Sequence, residues 1–115
     1  MDEAAARQRL QGLLAELEDS SRTIAGAEGD TGELSRIDQH PAEAASELAE
    51  MERDEAVLAV MAGQRQEVLD ALDRLDAGTF GRCVVCGTTL PEERLEARPE
   101  AARCVNCQQE LEIAR

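Results

Sequence analysis

All four cysteines of the chain fall into two pairs, Cys83-Val84-Val85-Cys86 and Cys104-Val105-Asn106-Cys107, with 17 residues between the pairs. A two-residue gap lets one tight turn aim both thiolates at a single ion, and a long gap lets a second turn return to close a tetrahedron. The spacing is that of one structural Zn2+ held by Cys83, Cys86, Cys104 and Cys107. Gly87 supports this reading, because glycine at that place can take positive φ and turn backbone amides toward the sulfurs. A redox reading uses one Cys-x-x-Cys and leaves the other pair unexplained. A disulfide framework is the other use of an even cysteine count, but nothing at the N-terminus reads as a signal peptide. Four thiolates close the coordination shell, so such a metal holds a small module together and has no position for water or substrate.

Other chemistry is scarce. His40 is the single histidine, lysine is absent, and no P-loop, dinucleotide fingerprint or hydrolase elbow is present. The chain reads as a non-enzyme. His40, next to Pro41, reads as a helix-start residue in preference to a ligand or base.

The elements that must carry the cysteines are helical. Leu10, Leu13, Leu14, Leu17 and Ile24 recur mostly at steps of three and four, with Ser21 on the same stripe, which predicts a helix from Asp2 to about Ala25. Gly26, Gly29, Gly32 and Pro41 predict a connection over about 26–41. Pro41 suits the first position of a second helix that runs to Ala77 and stops at Gly78. Its seam is Ala45, Leu48, Met51, Leu58, Met61 or Ala62, Val68 or Leu69, Leu72 and Leu75, interrupted by Glu55 and Arg65. Helix 1 is the nearest apolar stripe, so an antiparallel hairpin is expected. Helix 2 is longer by roughly a dozen residues, about 18 Å. The surplus near Leu69 to Leu75 then packs on the metal module and the last helix, or on a second chain. A monomer is expected, with a dimer through the long helix as the alternative.

After Gly78, Phe80 is the single aromatic residue and is expected to cover the metal module with Leu90 and Leu95. Pro91 and Pro99 mark turns. Val105 to Ala114 reads as a short helix whose first amides face the thiolates, with Leu111 and Ile113 as its apolar contacts. The expected fold class is all-α: an antiparallel coiled-coil hairpin with a C-terminal four-cysteine zinc finger and a short terminal helix. The expected domains are 1–78 for the hairpin and 79–115 for the finger.

Charge narrows the partners. The net charge is -13 in 115 residues; residues 1–78 hold 19 acids against 7 arginines, and residues 79–115 hold 6 against 5. Neither half offers the concentrated positive patch that a phosphate backbone needs, so sequence-specific DNA binding is not expected. An acidic rod is drawn instead to a positively charged protein surface or channel. No apolar run approaches membrane-spanning length, and the default compartment is the cytoplasm.

Phe80-Gly81-Arg82-Cys83-Val84-Val85-Cys86-Gly87, then Arg94-Leu95-Glu96-Ala97-Arg98-Pro99 and Cys104-Val105-Asn106-Cys107, resembles the zinc-finger signature of the DksA/TraR family. Asp38-Gln39-His40-Pro41-Ala42-Glu43-Ala44-Ala45-Ser46 is similar to the family's coiled-coil tip. The resemblance spans about residues 38–115. It implies a transcription regulator that binds bacterial RNA polymerase and inserts its tip into the secondary channel, toward the catalytic magnesium, to modulate initiation. Many members act with guanosine tetraphosphate. This chain is shorter at its N-terminus than the best-known members, and no alarmone site is carried over. The family's tip acid and the alanine two positions later correspond to Glu43 and Ala45. Aspartate is the typical acid there, one methylene shorter than Glu43. An earlier acid is common where this chain has His40, and Asp38 lies close by. A zinc-stapled helical adaptor or scaffold, without regulatory activity at the polymerase active site, is the alternative.

Overall fold

The computed structural model describes the backbone of residues 2–30 and 41–114, and the side chains of residues 2–26 and 43–114. It has four helices: α1 (Glu3–Asp30), α2 (Pro41–Ala77), α3 (Glu92–Ala97) and α4 (Val105–Ala114). Among the described residues there is no strand, and the only β-type pairing is an isolated antiparallel bridge between Arg82 and Thr89. The fold is all-α, as the periodicity predicts.

Helix α1 starts where expected, with the Ala6 amide donating to the Asp2 carbonyl at 2.9 Å. It does not stop near Ala25. It continues to Asp30 through Gly26 and Gly29. A glycine inside a helix costs only about 1 kcal/mol, and no proline intervenes before Pro41, so nothing there compels the chain to leave the helix. Helix α2 keeps the predicted bounds. At its end Gly78 takes φ 76, its amide donates to the Leu75 carbonyl at 3.2 Å, and the Thr79 amide donates to the Arg74 carbonyl at 2.9 Å. Two carbonyls that the helix end would leave orphaned are thereby satisfied.

The chain divides into two compact units, residues 1–15 with 66–115 and residues 16–65. In the first, Ala6, Leu10, Val68 and Ala71 are fully buried and Leu75 is 5% exposed. Arg7 Nη2 reaches Asp76 Oδ1 at 2.8 Å. A second cluster holds Cys83, Leu90 and Leu95, with Phe80, Ala101, Cys104 and Cys107 packed against it. Phe80 therefore covers the cysteine module as expected. Ala71, absent from the predicted seam, is fully buried one turn from Val68 and from Leu75, on the same face of α2.

In the second unit α1 and α2 pair antiparallel. Arg65 Nε donates to Glu18 Oε1 at 3.3 Å, and the Ser21 hydroxyl donates to Met61 Sδ at 3.7 Å. Leu17, Ile24, Met51, Leu58 and Met61 are half-buried, and no described side chain of this unit is fully buried.

Three further expectations are corrected. In this register each step forward on α1 is a step back on α2, so Asp30 comes level with about Arg53. The surplus length of α2 thus falls at its Pro41 end, while at the other end Val68, Ala71 and Leu75 are buried and Arg74 reaches the Glu100 and Ala101 carbonyls of the cysteine module, in line with the expected packing there. Ala45 and Leu48 lie beyond α1 and are exposed, Leu48 by 57%. Ile113 is 84% exposed and is not the apolar anchor expected of it, whereas Leu111 is half-buried.

Candidate metal centre

The first cysteine pair sits on a tight hairpin. The Leu90 amide donates to the Gly81 carbonyl at 2.8 Å and the Cys83 amide to the Thr88 carbonyl at 2.8 Å, and the Arg82–Thr89 bridge lies between them. At the hairpin's head the Gly87 amide donates to the Cys83 carbonyl at 2.9 Å. Gly87 itself has φ 77, a conformation that a β-carbon would strain. This is the turn that points Cys83 and Cys86 the same way.

The second pair is brought to the first by backbone and arginine contacts. The Val84 amide donates to the Ala102 carbonyl at 2.9 Å. Arg94 Nε donates to the Arg103 carbonyl at 3.0 Å, next to Cys104. Arg74, half-buried on α2, directs its guanidinium at the Glu100 and Ala101 carbonyls, each at 3.5 Å. Burial lowers the Arg74 pKa, with Asp70 opposing and Arg103 adding to the shift. Sequence reasoning missed Arg74. Its position just before the α2 cap gives no signal of its own, because its partners are carbonyls 26 and 27 residues away.

The four sulfurs all lie within 4.8 Å of one another. Cys86 Sγ is 3.8 Å from Cys104 Sγ. A tetrahedral zinc with bonds of about 2.3 Å places its sulfurs about 3.8 Å apart, so the donor set fits that ion in number, type and spacing. The module takes one structural zinc.

Charge on the sulfurs is uneven. Amides of Cys86 and then Cys104 push the Cys83 thiol down to about 6, against the opposing effect of burial. Thr88, first through its hydroxyl and then through its amide, lowers Cys86. Cys107 is pushed up because its sulfur shares a hydrogen bond with Cys104, and burial adds to this. Four crowded sulfurs cannot all ionise unaided, and a dication among them removes that obstacle. Helix α4 contributes as predicted, with the Cys107 amide donating to Cys104 Sγ at 3.4 Å.

The other singled-out residues lie elsewhere. Glu43 and Ala45 belong to the second unit, both exposed, Glu43 in the first turn of α2. Two residues apart on a helix, they project about 200° from each other and so do not share a face. Asp38 and His40 lie outside the described residues.

Comparison with known proteins places this geometry. The prokaryotic dksA/traR C4-type zinc finger matches residues 78–112. General stress protein 16O of Bacillus subtilis is 31% identical over 117 residues, covering 95% of this chain and 72% of that protein. The chain belongs to the DksA/TraR family. Among DksA/TraR relatives, the uncharacterized protein YteA of Bacillus subtilis is 41% identical over 70 residues, which are 61% of this chain but only 29% of YteA. The RNA polymerase-binding transcription factor DksA of Haemophilus influenzae is 45% identical over 42 residues, 36% of this chain and 29% of that one. The solved structure of transcription factor DksA2 from Pseudomonas aeruginosa superposes with a TM-score of 0.80 over 97% of this chain and 84% of that one, at 24% identity, which establishes the shared fold.

Proposed function

We propose that this chain is a transcription regulator that binds bacterial RNA polymerase directly, with Cys83, Cys86, Cys104 and Cys107 holding the zinc that stiffens its finger. The observation that carries the reading is membership of the DksA/TraR family, with 45% identity over 42 residues to a relative named for binding RNA polymerase. Two long helices then serve to present a tip, and Glu43 is the acting carboxylate. It is exposed in the first turn of α2, where helix amides favour negative charge and the helix fixes its direction. Ala45 faces another way and acts through smallness, letting polymerase elements approach the helix closely. Asp38 is the reserve acid of the tip. Guanosine tetraphosphate enters only as a variable of the assay, with and without.

Binding and initiation measured side by side test this. Glu43→Ala should bind polymerase within a few-fold of the parent and lose most of its effect on initiation, while Glu43→Asp should retain or strengthen it. A parent that does not bind polymerase, or that binds and is not displaced by another secondary-channel protein, would defeat the proposal. Binding without any effect, in the parent and in Glu43→Asp alike, would leave the zinc-stapled scaffold. Full activity in Glu43→Ala would move the role to Asp38.

A further inference from the structure

The four cysteines are not equally protected. Cys83 is 3% exposed, and Cys104 and Cys107 are half-buried against the cluster of Cys83, Leu90 and Leu95. Cys86 is exposed. Solvent, a competing chelator or an oxidant therefore reaches the site first at Cys86, and the groups around that sulfur govern how firmly it is kept.

Apart from the neighbouring cysteine sulfurs, those groups come from one residue. Thr88 Oγ1 lies 3.1 Å from Cys86 Sγ, and the Thr88 amide is also directed at this sulfur. A thiol donates its proton to the hydroxyl oxygen; a thiolate has none to give, so there the hydroxyl donates to sulfur. A hydrogen bond to an ionised acceptor is roughly twice as strong as a neutral one, so the contact favours the form that ligates metal. Thr88 is well placed to keep it. Its carbonyl accepts the Cys83 amide at 2.8 Å, and the positive-φ turn at Gly87 precedes it. The buried Cys83 and the half-buried Cys104 are served differently, by amides of the knuckles themselves. Cys86 alone among the four is served by a side-chain hydroxyl among the described residues.

We infer that Thr88 is a positioning residue of the metal centre, whose hydroxyl bonds the exposed Cys86 thiolate and so sets both the retention of zinc and the reactivity of that sulfur. The inference rests on the four-cysteine zinc reading. With four thiolates around one dication the centre carries net negative charge, and a donor at its exposed corner draws electron density from the sulfur most open to attack.

The test uses the full chain purified with its zinc, and compares Thr88→Val, which keeps the branched shape and cannot donate, with Thr88→Ser, which can. Zinc transfer to a chromophoric chelator should be easier in Thr88→Val by on the order of 10-fold, the lower end of what losing such an outer partner does to metal affinity. Thr88→Ser should stay within about two-fold of the parent. Alkylation mapped by mass spectrometry should rise at Cys86 in Thr88→Val and not at Cys83 or Cys104. With Co2+ in place of zinc, the sulfur-to-metal charge-transfer band should shift in Thr88→Val only. Equal zinc retention in Thr88→Val and the parent overturns the inference, as does a Thr88→Ser protein that behaves like Thr88→Val. Alkylation rising alike at all four cysteines overturns it too, since that is the mark of a loosened fold. A parent that carries no zinc removes the zinc reading itself, a failure seen before any variant is made.

Discussion

Leu10 and Leu17 occupy one stripe of α1 two turns apart, yet Leu10 is fully buried and Leu17 is half-buried. Leu10→Ala should therefore cost about 2 to 4 kcal/mol, and Leu17→Ala less than half of that, because a half-exposed side chain has less to lose and leaves no closed cavity. Chemical denaturation of the two variants decides it, and equal costs would contradict the burial pattern. Periodicity made the stripe legible in the sequence and could not make its depth legible. Depth depends on what lies opposite, and Leu10 belongs to the unit that also contains Val68, Ala71 and Leu75. The cysteines were legible for a different reason, since metal ligation imposes a spacing that chance seldom repeats. Thr88 was not. Its role depends on the turn at Gly87 bringing a hydroxyl back to a sulfur two residues earlier, and nothing about a threonine in a loop announces that.

At the scale of elements, glycine carried two opposite meanings that the sequence alone did not separate. Gly78 ends α2 with φ +76, whereas Gly63 lies inside α2 with open space where a β-carbon would stand. Gly78→Ala should lower stability by about 1 kcal/mol, because alanine resists the left-handed conformation the cap requires. Gly63→Ala should raise stability by about 0.5 to 1 kcal/mol, since the site is helical and unobstructed. Thermal melts of the pair give the signs, and a shared sign would refute this account of the cap. The same ambiguity explains why α1 runs on to Asp30. Clustered glycines weaken a helix without stopping it, and only proline or a satisfied cap provides a definite end. Helix α2 had both, Pro41 at its start and Gly78 at its finish, and both of its bounds were readable.

For the molecule as a whole, composition set the limits correctly. With one Phe, no Trp and no Tyr, the described side chains bury only two large residues completely, Leu10 and Val68. A core that small needs a staple, and zinc binding contributes to folding because the site assembles only in the folded module. The all-α class followed from apolar spacing, and no helix of the described residues is long and apolar enough to cross a membrane. What the sequence left undecided was where the long helix spends its extra length. Register decides that, and it is fixed by pairs such as Glu18 with Arg65 and Ser21 with Met61 that no periodicity singles out.

Every fully buried side chain described belongs to residues 1–15 and 66–115, and none to residues 16–65. The consequence is a protein whose backbone amides keep two clocks. In the first unit, exchange with deuterated solvent should await the loss of the whole buried core. Over residues 16–26 and 43–65 it should proceed by brief local openings, because a half-buried seam and the exposed Glu18–Arg65 pair hold the helices there. Mass-resolved exchange should show this division, and removing zinc with a chelator should hasten exchange over residues 79–114 far more than over 43–65. A single uniform rate, or the reverse order, would contradict the placement of the core. The faster segment includes Glu43 and the start of α2, so the part of the chain proposed to meet polymerase is also the part held most loosely to itself.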